Sequence, residues 1–236
     1  GQALDGKLLK CAYATYSSTK GVNDNGAGVG ALYIEASDGT LKGMFPAGFV
    51  ARTLAEASGD RLLVIRCLTN IGTTHFSARR FKRSIDWFRE AIELSRGVSY
   101  RSGLVINQHN LADAYFRLGD YARSFAGFEQ SRKDADSLGM DRMVALNDVY
   151  LGYLTARRGE PEAGLELLDN AMKEASRLRD SHTGLIGQWL SGSLLCSRGQ
   201  REAGLVLLKT ALEGAEAARS GYLVSELMEE IGLWVG

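Results

Sequence analysis

The chain has 236 residues, and its 28 basic and 28 acidic side chains give a formal net charge of zero. This balance removes the electrostatic case for binding nucleic acid or an anionic membrane surface. Charged residues make up 24% and hydrophobic residues 45% of the chain, as in an ordinary globular protein.

The cysteines indicate the cellular compartment in which the protein is expected, and the first residue bears on whether the chain is a fragment. Cys11, Cys67 and Cys196 are few, odd in number and far apart, so a reducing compartment is expected and the cytoplasm is predicted. No signal peptide is predicted, and no apolar run reaches the roughly 18 residues of a membrane span. The chain starts at Gly1 without a methionine, and we expect it to be a fragment of a longer protein.

Residues 1–59 are the least regular part of the sequence, and we interpret them as degenerate or truncated repeats. Residues 21–30 are rich in glycine and are poor helix material. A helix over about residues 27–37 is nevertheless favoured, because nearby positions keep the spacing of the repeats that follow: Gly39, Phe45, Ala51 and Ala55. The alternative is a non-helical segment within residues 20–45, with two strands joined by an Asp-Gly turn.

From residue 60 onward, helical stripes alternate with short turns. First helices are predicted at about residues 60–77, 101–118, 141–158 and 181–198, and second helices at about 81–96, 121–137, 160–178 and 200–218. A last helix, about 221–234, has no partner in this pattern. Because the joints are short, successive helices should be antiparallel neighbours.

Residues 107–136 show the helix–turn–helix unit most clearly. Leu111, Ala112 and Tyr115 fall on one face of its first helix. Gly119 stands where that helix must end, and Asp120 is placed to cap the next one. The apolar face of such a hairpin needs neighbouring hairpins to bury it.

The unit recurs at a spacing of 40 residues. The small residue of the first helix returns as Gly72, Ala112, Gly152 and Gly192, and the large apolar residue of the second helix returns as Phe88, Phe128, Leu168 and Leu208. Columns that stay in register over several steps indicate an array of repeats. We expect repeats at residues 60–98, 99–138, 139–178 and 179–219, followed by a terminal helix in residues 220–236.

These residues resemble the tetratricopeptide repeat family. Asn110-Leu111-Ala112, Tyr115 and Leu118-Gly119-Asp120-Tyr121 are similar to its first helix and turn. The family repeat has about 34 residues, and the longer period resembles a subclass found in kinesin light chains, Leu-Gly-Asn scaffold proteins and bacterial signalling regulators. The family's early tryptophan and terminal proline are missing. The resemblance implies an all-α fold, an α-solenoid of antiparallel helix pairs wound as a right-handed superhelix.

The resemblance also implies a concave groove, lined by first helices, that holds a protein or peptide segment. By register, the predicted groove residues are Arg66, Asn70, Thr73, His109, Asn110, Asp113, Arg117, Tyr150, Tyr153, Arg157 and Trp189. The asparagines can give a donor and an acceptor to a peptide backbone, the arginines can bind carboxylates, and the aromatic residues can act as anchors. The alternative is a surface that only tolerates these residues.

No catalytic, cofactor or metal-binding site is predicted. The three histidines lack the spacing of a metal site, since the single pairing of His109 with Asp113 is better explained as a polar contact. Cys67 and Cys196 are interpreted as small buried residues rather than nucleophiles. Glu229 and Glu230 are interpreted as a solvated helix face.

The predicted function is therefore a non-catalytic, protein- or peptide-binding scaffold. We expect it to be the sensor or interaction region of a larger signalling or transcriptional regulator. One alternative is a self-association module, in which the last helix docks on another copy. Another is the N-terminal region of an enzyme with a β-rich start.

Overall fold

The computed structural model describes residues 31–35, 41–46, 56 and 59–235. Strand β1 (Ala31–Glu35) pairs antiparallel with β2 (Leu41–Pro46), with Leu32 opposite Phe45. The helix predicted over residues 27–37 is wrong where β1 lies, and the alternative with two strands is confirmed there. The local strand and turn signals outweigh the register of Gly39 and Phe45, because the glycine-rich stretch before them gives a helix little support. The predictions for residues 1–30, including the role of Cys11, lie outside the described residues.

The helical part follows the predicted pattern closely. In chain order, the helices are α1 (Arg61–Ser77), α2 (Phe81–Gly97), α3 (Arg101–Arg117), α4 (Tyr121–Asp136), α5 (Asp141–Arg157), α6 (Pro161–Arg177), α7 (Ser181–Ser197), α8 (Arg201–Ala217) and α9 (Gly221–Val235). Each begins and ends within about two residues of its predicted position. The predicted solenoid of helix pairs is confirmed for residues 61–217. No helix among the described residues is long and apolar enough to span a membrane.

The helices end at joints that recur every 20 residues. At each joint, one residue has a positive φ angle, and these residues are Arg79, Ser99, Gly119, Gly139, Gly159, Arg179, Gly199 and Arg219. A left-handed residue ends a helix by satisfying its last carbonyls. Three joints also carry an aspartate cap: Asp60, Asp120 and Asp180 accept from the backbone N–H three residues later.

Glycines let the two helices of a pair touch backbone to backbone. A Cβ atom on Gly152 of α5 would lie 2.8 Å from the carbonyl oxygen of Gly164 on α6. A Cβ atom on Gly192 would lie 2.9 Å from the carbonyl oxygen of Gly204 in the next pair. The small-residue column of the sequence therefore marks the close contact within each pair.

The core runs along the array between the helices. Phe88, Phe128, Leu168 and Leu208, the large apolar column of the second helices, are all buried. Buried side chains connect α3 continuously to α9, where Leu223 and Leu227 pack at the end of the array. Each pair thus buries its apolar face against the next, as expected for a repeat array.

Candidate functional site: the inner face of the array

The first helices, α1, α3, α5 and α7, stand side by side and form the inner face of the array. Side chains link adjacent members, since the Thr69 hydroxyl lies 3.0 Å from Asn107 Oδ1 and the His109 ring lies 2.9 Å from Asn147 Oδ1. All eleven predicted groove residues lie on these four helices. The structure divides them into two groups, because α9 covers part of the face.

Helix α9 packs beside α8, and its side chains reach across the inner face to the first helix of the array. Glu226 accepts a hydrogen bond from Arg117 of α3 at 2.6 Å, and Glu229 accepts one from Arg79, just beyond α1, at 2.5 Å. The Tyr222 ring packs 5.7 Å from the ring of Phe76 on α1. We call the region covered by these contacts, formed by Phe76, Arg79, Arg117 and Trp189, the closed half of the inner face.

Arg117 is the centre of the closed half. Its side chain is only 7% exposed and forms ion pairs with Asp113 at 3.2 Å and Glu226 at 2.6 Å. The guanidinium carbon also lies 4.6 Å from the centre of the Trp189 ring and 5.3 Å from that of Tyr222. Burial alone lowers the pKa of Arg117, but the nearby acidic groups raise it above its ordinary value, so the group stays charged.

Four predicted groove residues are part of the packed interior in this structure. His109, Tyr150, Tyr153 and Trp189 are each less than 9% exposed. Tyr150 stacks on Phe128 with ring centres 4.4 Å apart. Burial raises the pKa of Tyr150 and lowers that of His109, which keeps both side chains neutral. These residues form the wall of the inner face rather than open contact area.

The remaining predicted residues lie where the inner face is accessible. Arg66 and Asn70 on α1 are exposed, and Thr73 and Asn110 are half-buried. Among the described residues, neither the Asn70 nor the Asn110 amide group has a hydrogen-bond partner within the chain. We call the region formed by Arg66, Asn70, Thr73, Ile106 and Asn110 the open half of the inner face.

A cavity of about 250 Å³ connects the open half to the interior. Asn110 and Asp113 stand among mostly apolar walls, and Tyr222 of α9 closes one side. The complete lining is Thr73, Phe76, Ser77, Phe88, Ile106, His109, Asn110, Asp113, Met143, Leu146, Tyr150, His182, Ile186 and Tyr222. An apolar cavity with a few polar groups at one edge is the usual form of a binding pocket.

Arg157 lies apart from both halves. It is exposed, and its guanidinium lies 5.0 Å from the centre of the Tyr121 ring. Its Nη1 atom donates to the Tyr153 hydroxyl at 3.1 Å. The aromatic contacts hold this cation at the end of α5, where it remains accessible to a carboxylate.

The described residues carry little that favours catalysis. They contain no group of three histidine, cysteine or acidic side chains placed to hold a metal ion. Cys67 and Cys196 are buried free cysteines, and burial raises the pKa of both thiols, which opposes formation of the reactive thiolate.

The sequence did not predict the role of α9. Glu229 and Glu230 were interpreted as a solvated face, but Glu229 pairs with Arg79, and Glu230 accepts from Ser193 of α7 at 2.8 Å. Glu229 is exposed as interpreted, with 54% of its side chain accessible, but the interpretation missed these partners because the inner face returns close to α9. The available signal was the acidic run on the last helix together with arginines at the ends of α1 and α3.

Residues 64–98 match the family model of the tetratricopeptide repeat. This segment is a tetratricopeptide repeat. This match covers the α1–α2 pair, and the later pairs repeat its geometry at the same spacing. None of the curated proteins matches the sequence.

Solved structures share the fold of this chain at low sequence identity. Aspartyl phosphate phosphatase F from Bacillus subtilis matches with a TM-score of 0.61 and 13% identity, over 79% of this chain and 49% of that one. BtubC (BKLC) from P. vanneervenii matches with a TM-score of 0.55 and 15% identity, over 80% of this chain and 89% of that one. A Rap protein complexed with competence and sporulation factor matches with a TM-score of 0.56 and 14% identity, over 80% of this chain and 58% of that one. The chain thus spans about half the length of the first of these proteins.

Proposed function

We propose that this protein is a non-catalytic scaffold that binds a peptide or protein segment along the open half of its inner face. The observation that carries the proposal is the Asn110 amide, which has no partner among the described residues and stands at the edge of the cavity. An amide without a partner beside an apolar cavity can fix the backbone of a guest while the cavity takes one of its side chains. We further propose that the scaffold is the cytoplasmic interaction region of a larger signalling or transcriptional regulator.

The spacing of Asn70 and Asn110 suits an extended segment. The two residues hold the same position in consecutive repeats, on helices whose side chains touch through Thr69 and Asn107. Packed helices lie about 8–10 Å apart. An extended chain advances about 3.3 Å per residue, so the two amides would meet backbone groups about three residues apart.

The cavity can take one apolar side chain of that segment. Its walls include Phe76, Ile106 and Leu146, and Ile106 is 37% exposed. Burying an aliphatic or aromatic side chain contributes about 1.5–3 kcal/mol. Arg66, which is exposed at the other end of the open half, is free to bind a carboxylate of the same segment.

One similar structure supports a binding role in general terms. A Rap protein was solved in complex with competence and sporulation factor. At 14% identity, the likeness concerns the fold alone, so the partner of that protein is not carried over to this chain. What supports the proposal here is the chemistry of the open half.

The test is selection of binding peptides from a random library on the whole chain, followed by affinity measurements on variants. Asn110→Ala should weaken the selected peptides about fivefold or more, because it removes hydrogen bonds to the guest. Asn170→Ala, at an exposed position on the second helix α6, is the matched control and should leave affinity unchanged. Equal affinity of the wild type, Asn70→Ala and Asn110→Ala would rule out the open half as the site.

A second candidate function is self-association through the exposed apolar side chains in the C-terminal half of α9. Met228, Leu233 and Val235 are 61%, 73% and 59% exposed, which is unusual for large apolar side chains so close together. If this face joins two copies, Leu233→Ser should convert the dimer to a monomer in sedimentation at high concentration. A wild-type chain that remains monomeric under the same conditions would exclude this function.

A further inference from the structure

The closed half of the inner face already holds an occupant, which is helix α9. We propose that this half is a binding surface for an acidic amphipathic helix, and that a partner helix with the chemistry of α9 binds there by displacing it. This inference rests on the proposed function in one respect, namely that the guest is a segment of protein. It adds a second surface and names the kind of segment that this surface takes.

The contacts of α9 define the chemistry of such a helix. Tyr222 enters the aromatic group around Arg117, and Glu226, four residues later, pairs with Arg117 at 2.6 Å. Glu230, four residues later again, accepts from Ser193. A helix that fits the closed half therefore presents an aromatic residue and two carboxylates at successive intervals of four residues, which places all three on one face.

A second requirement comes from the other face of α9. Leu223 and Leu227 directly follow Tyr222 and Glu226, and both are buried in the core at the end of the array. A competing helix must supply these apolar contacts as well. The pattern sought in a partner is thus aromatic-Leu, two free positions, Glu-Leu, two free positions and Glu.

The contact between α9 and the closed half leaves buried hydrogen-bonding groups unsatisfied, two on the closed half and one, the Tyr222 hydroxyl, on α9 itself. Arg117 Nη2, Trp189 Nε1 and the Tyr222 hydroxyl are buried without a partner, and they are three of five such atoms in the described part of the chain. Buried polar atoms are nearly always paired in stable contacts. Their concentration between α9 and the wall favours an occupant that brings an additional acceptor, and it makes α9 a displaceable one.

The position of α9 allows it to leave without breaking the array. It is the last described helix, and α8 is its neighbour on one side. The joint before it contains Arg219, a non-glycine residue with φ of 54°. Release of α9 would relax this residue and expose the closed half, while the pairs from α1 to α8 keep their mutual contacts.

The proposal is tested by hydrogen exchange on the full chain together with a synthetic peptide of residues 221–235. Glu226→Gln should accelerate exchange of the α9 amides about tenfold while protection in α3–α6 stays unchanged, because it removes one charge-assisted contact. Glu213→Gln, at an exposed position on α8, is the matched control and should change neither the exchange of the α9 amides nor the protection in α3–α6. If Glu226→Gln fails to fold, Arg79→Gln is the second variant, since it removes the contact to Glu229 and the longer contact of 3.4 Å to Glu226 but keeps the ion pair of Glu226 with Arg117.

The peptide gives an independent readout. It should bind the Glu226→Gln chain more tightly than the wild type, and a peptide carrying the same substitution should bind about fivefold or more weakly. Absence of peptide binding, together with α9 amides that exchange only with the whole array, would overturn the proposal. Dimer formation by the loosened variant would also overturn it, by identifying the α9 helix of a second copy as the guest. None of these readouts depends on the open half, so they stand if the proposed function fails.

Discussion

Arg117 of α3 and Glu226 of α9 form a buried ion pair across 109 residues of sequence, with Nη1 and Oε2 2.6 Å apart. The pair connects the middle of the array to its last helix. Asp113 shares the same guanidinium at 3.2 Å, so one cation stands between two carboxylates. Because the side chains of Arg117 and Glu226 are both less than 10% exposed, water cannot take the place of either partner in this ion pair unless α9 moves.

The first prediction concerns loss of this cation. Arg117→Met should lower the free energy of unfolding by about 3–5 kcal/mol, because it leaves the carboxylate of Asp113 without its cation and leaves Glu226 with only the longer contact to Arg79 at 3.4 Å. Urea denaturation followed by circular dichroism measures the change. The double variant Arg117→Met with Glu226→Gln should recover part of the loss, since one of the two charges is then removed. A double variant less stable than the single one would contradict this account of the pair.

The second prediction concerns the close contact between α5 and α6. Gly152→Ala should destabilise the chain by about 1–3 kcal/mol, because the added Cβ would meet backbone atoms of Gly164 and Leu168 within 3 Å. Gly184→Ala in α7 is the matched control, since nothing lies within 4 Å of its Cβ. That substitution should stabilise the helix by up to about 1 kcal/mol. Thermal unfolding of the two variants side by side distinguishes packing from helix propensity.

Much of the helical fold follows from local sequence. The repeated small residue at Gly152 and Gly192, the caps at Asp120 and Asp180, and the turn glycines each act over a few residues, so one pattern predicts each helix pair. The two strands before the array were predicted only as the alternative, because register with later repeats was given more weight than the local turn signal. That register reflects spacing alone, and spacing does not oblige residues 31–46 to form helices.

The covering of the inner face could not be predicted in the same way. Whether α9 reaches Arg79 depends on the curvature accumulated over four helix pairs, and that curvature is the sum of small rotations between neighbours. No residue near Glu229 in the sequence encodes this distance. His109 and Tyr150 lie on the first helices of their pairs, but whether such side chains are open or buried depends on how the first helices pack.

The third prediction concerns the joints. Arg179 has φ of 53°, a conformation that costs a residue with a side chain about 1–2 kcal/mol relative to glycine. Arg179→Gly should therefore raise the melting temperature, with an increase of about 1 kcal/mol in the free energy of unfolding. Gly199→Ala at an equivalent joint, with φ of 82° and open space around it, should lower stability by a similar amount. If both substitutions were neutral, backbone strain would not contribute to stability at these joints.

The fourth prediction concerns pH. Burial lowers the pKa of His109, while its hydrogen bond to Asn147 and the charge of Asp113 act in the opposite direction. The unfolded chain therefore binds a proton at His109 more readily than the folded chain, so stability increases with pH in this range. The contribution of His109 is fully present above the unfolded pKa of about 6.5 and is lost as the pH falls towards the folded pKa. The slope reaches at most about 1.4 kcal/mol per pH unit.

Urea titrations between pH 5 and 7.5 measure this effect. His109→Gln should be less stable than the wild type at pH 7.5, since it disturbs a packed residue, but it should lose less stability on acidification. Asn170→Ala, at an exposed position on α6 and without a titratable group, is the matched control and should retain the wild-type slope. A wild-type slope in His109→Gln would show that other groups cause the acid sensitivity. Because His109 stacks near Tyr150 and Phe128, its protonation would loosen the wall behind the cavity before the outer helices respond.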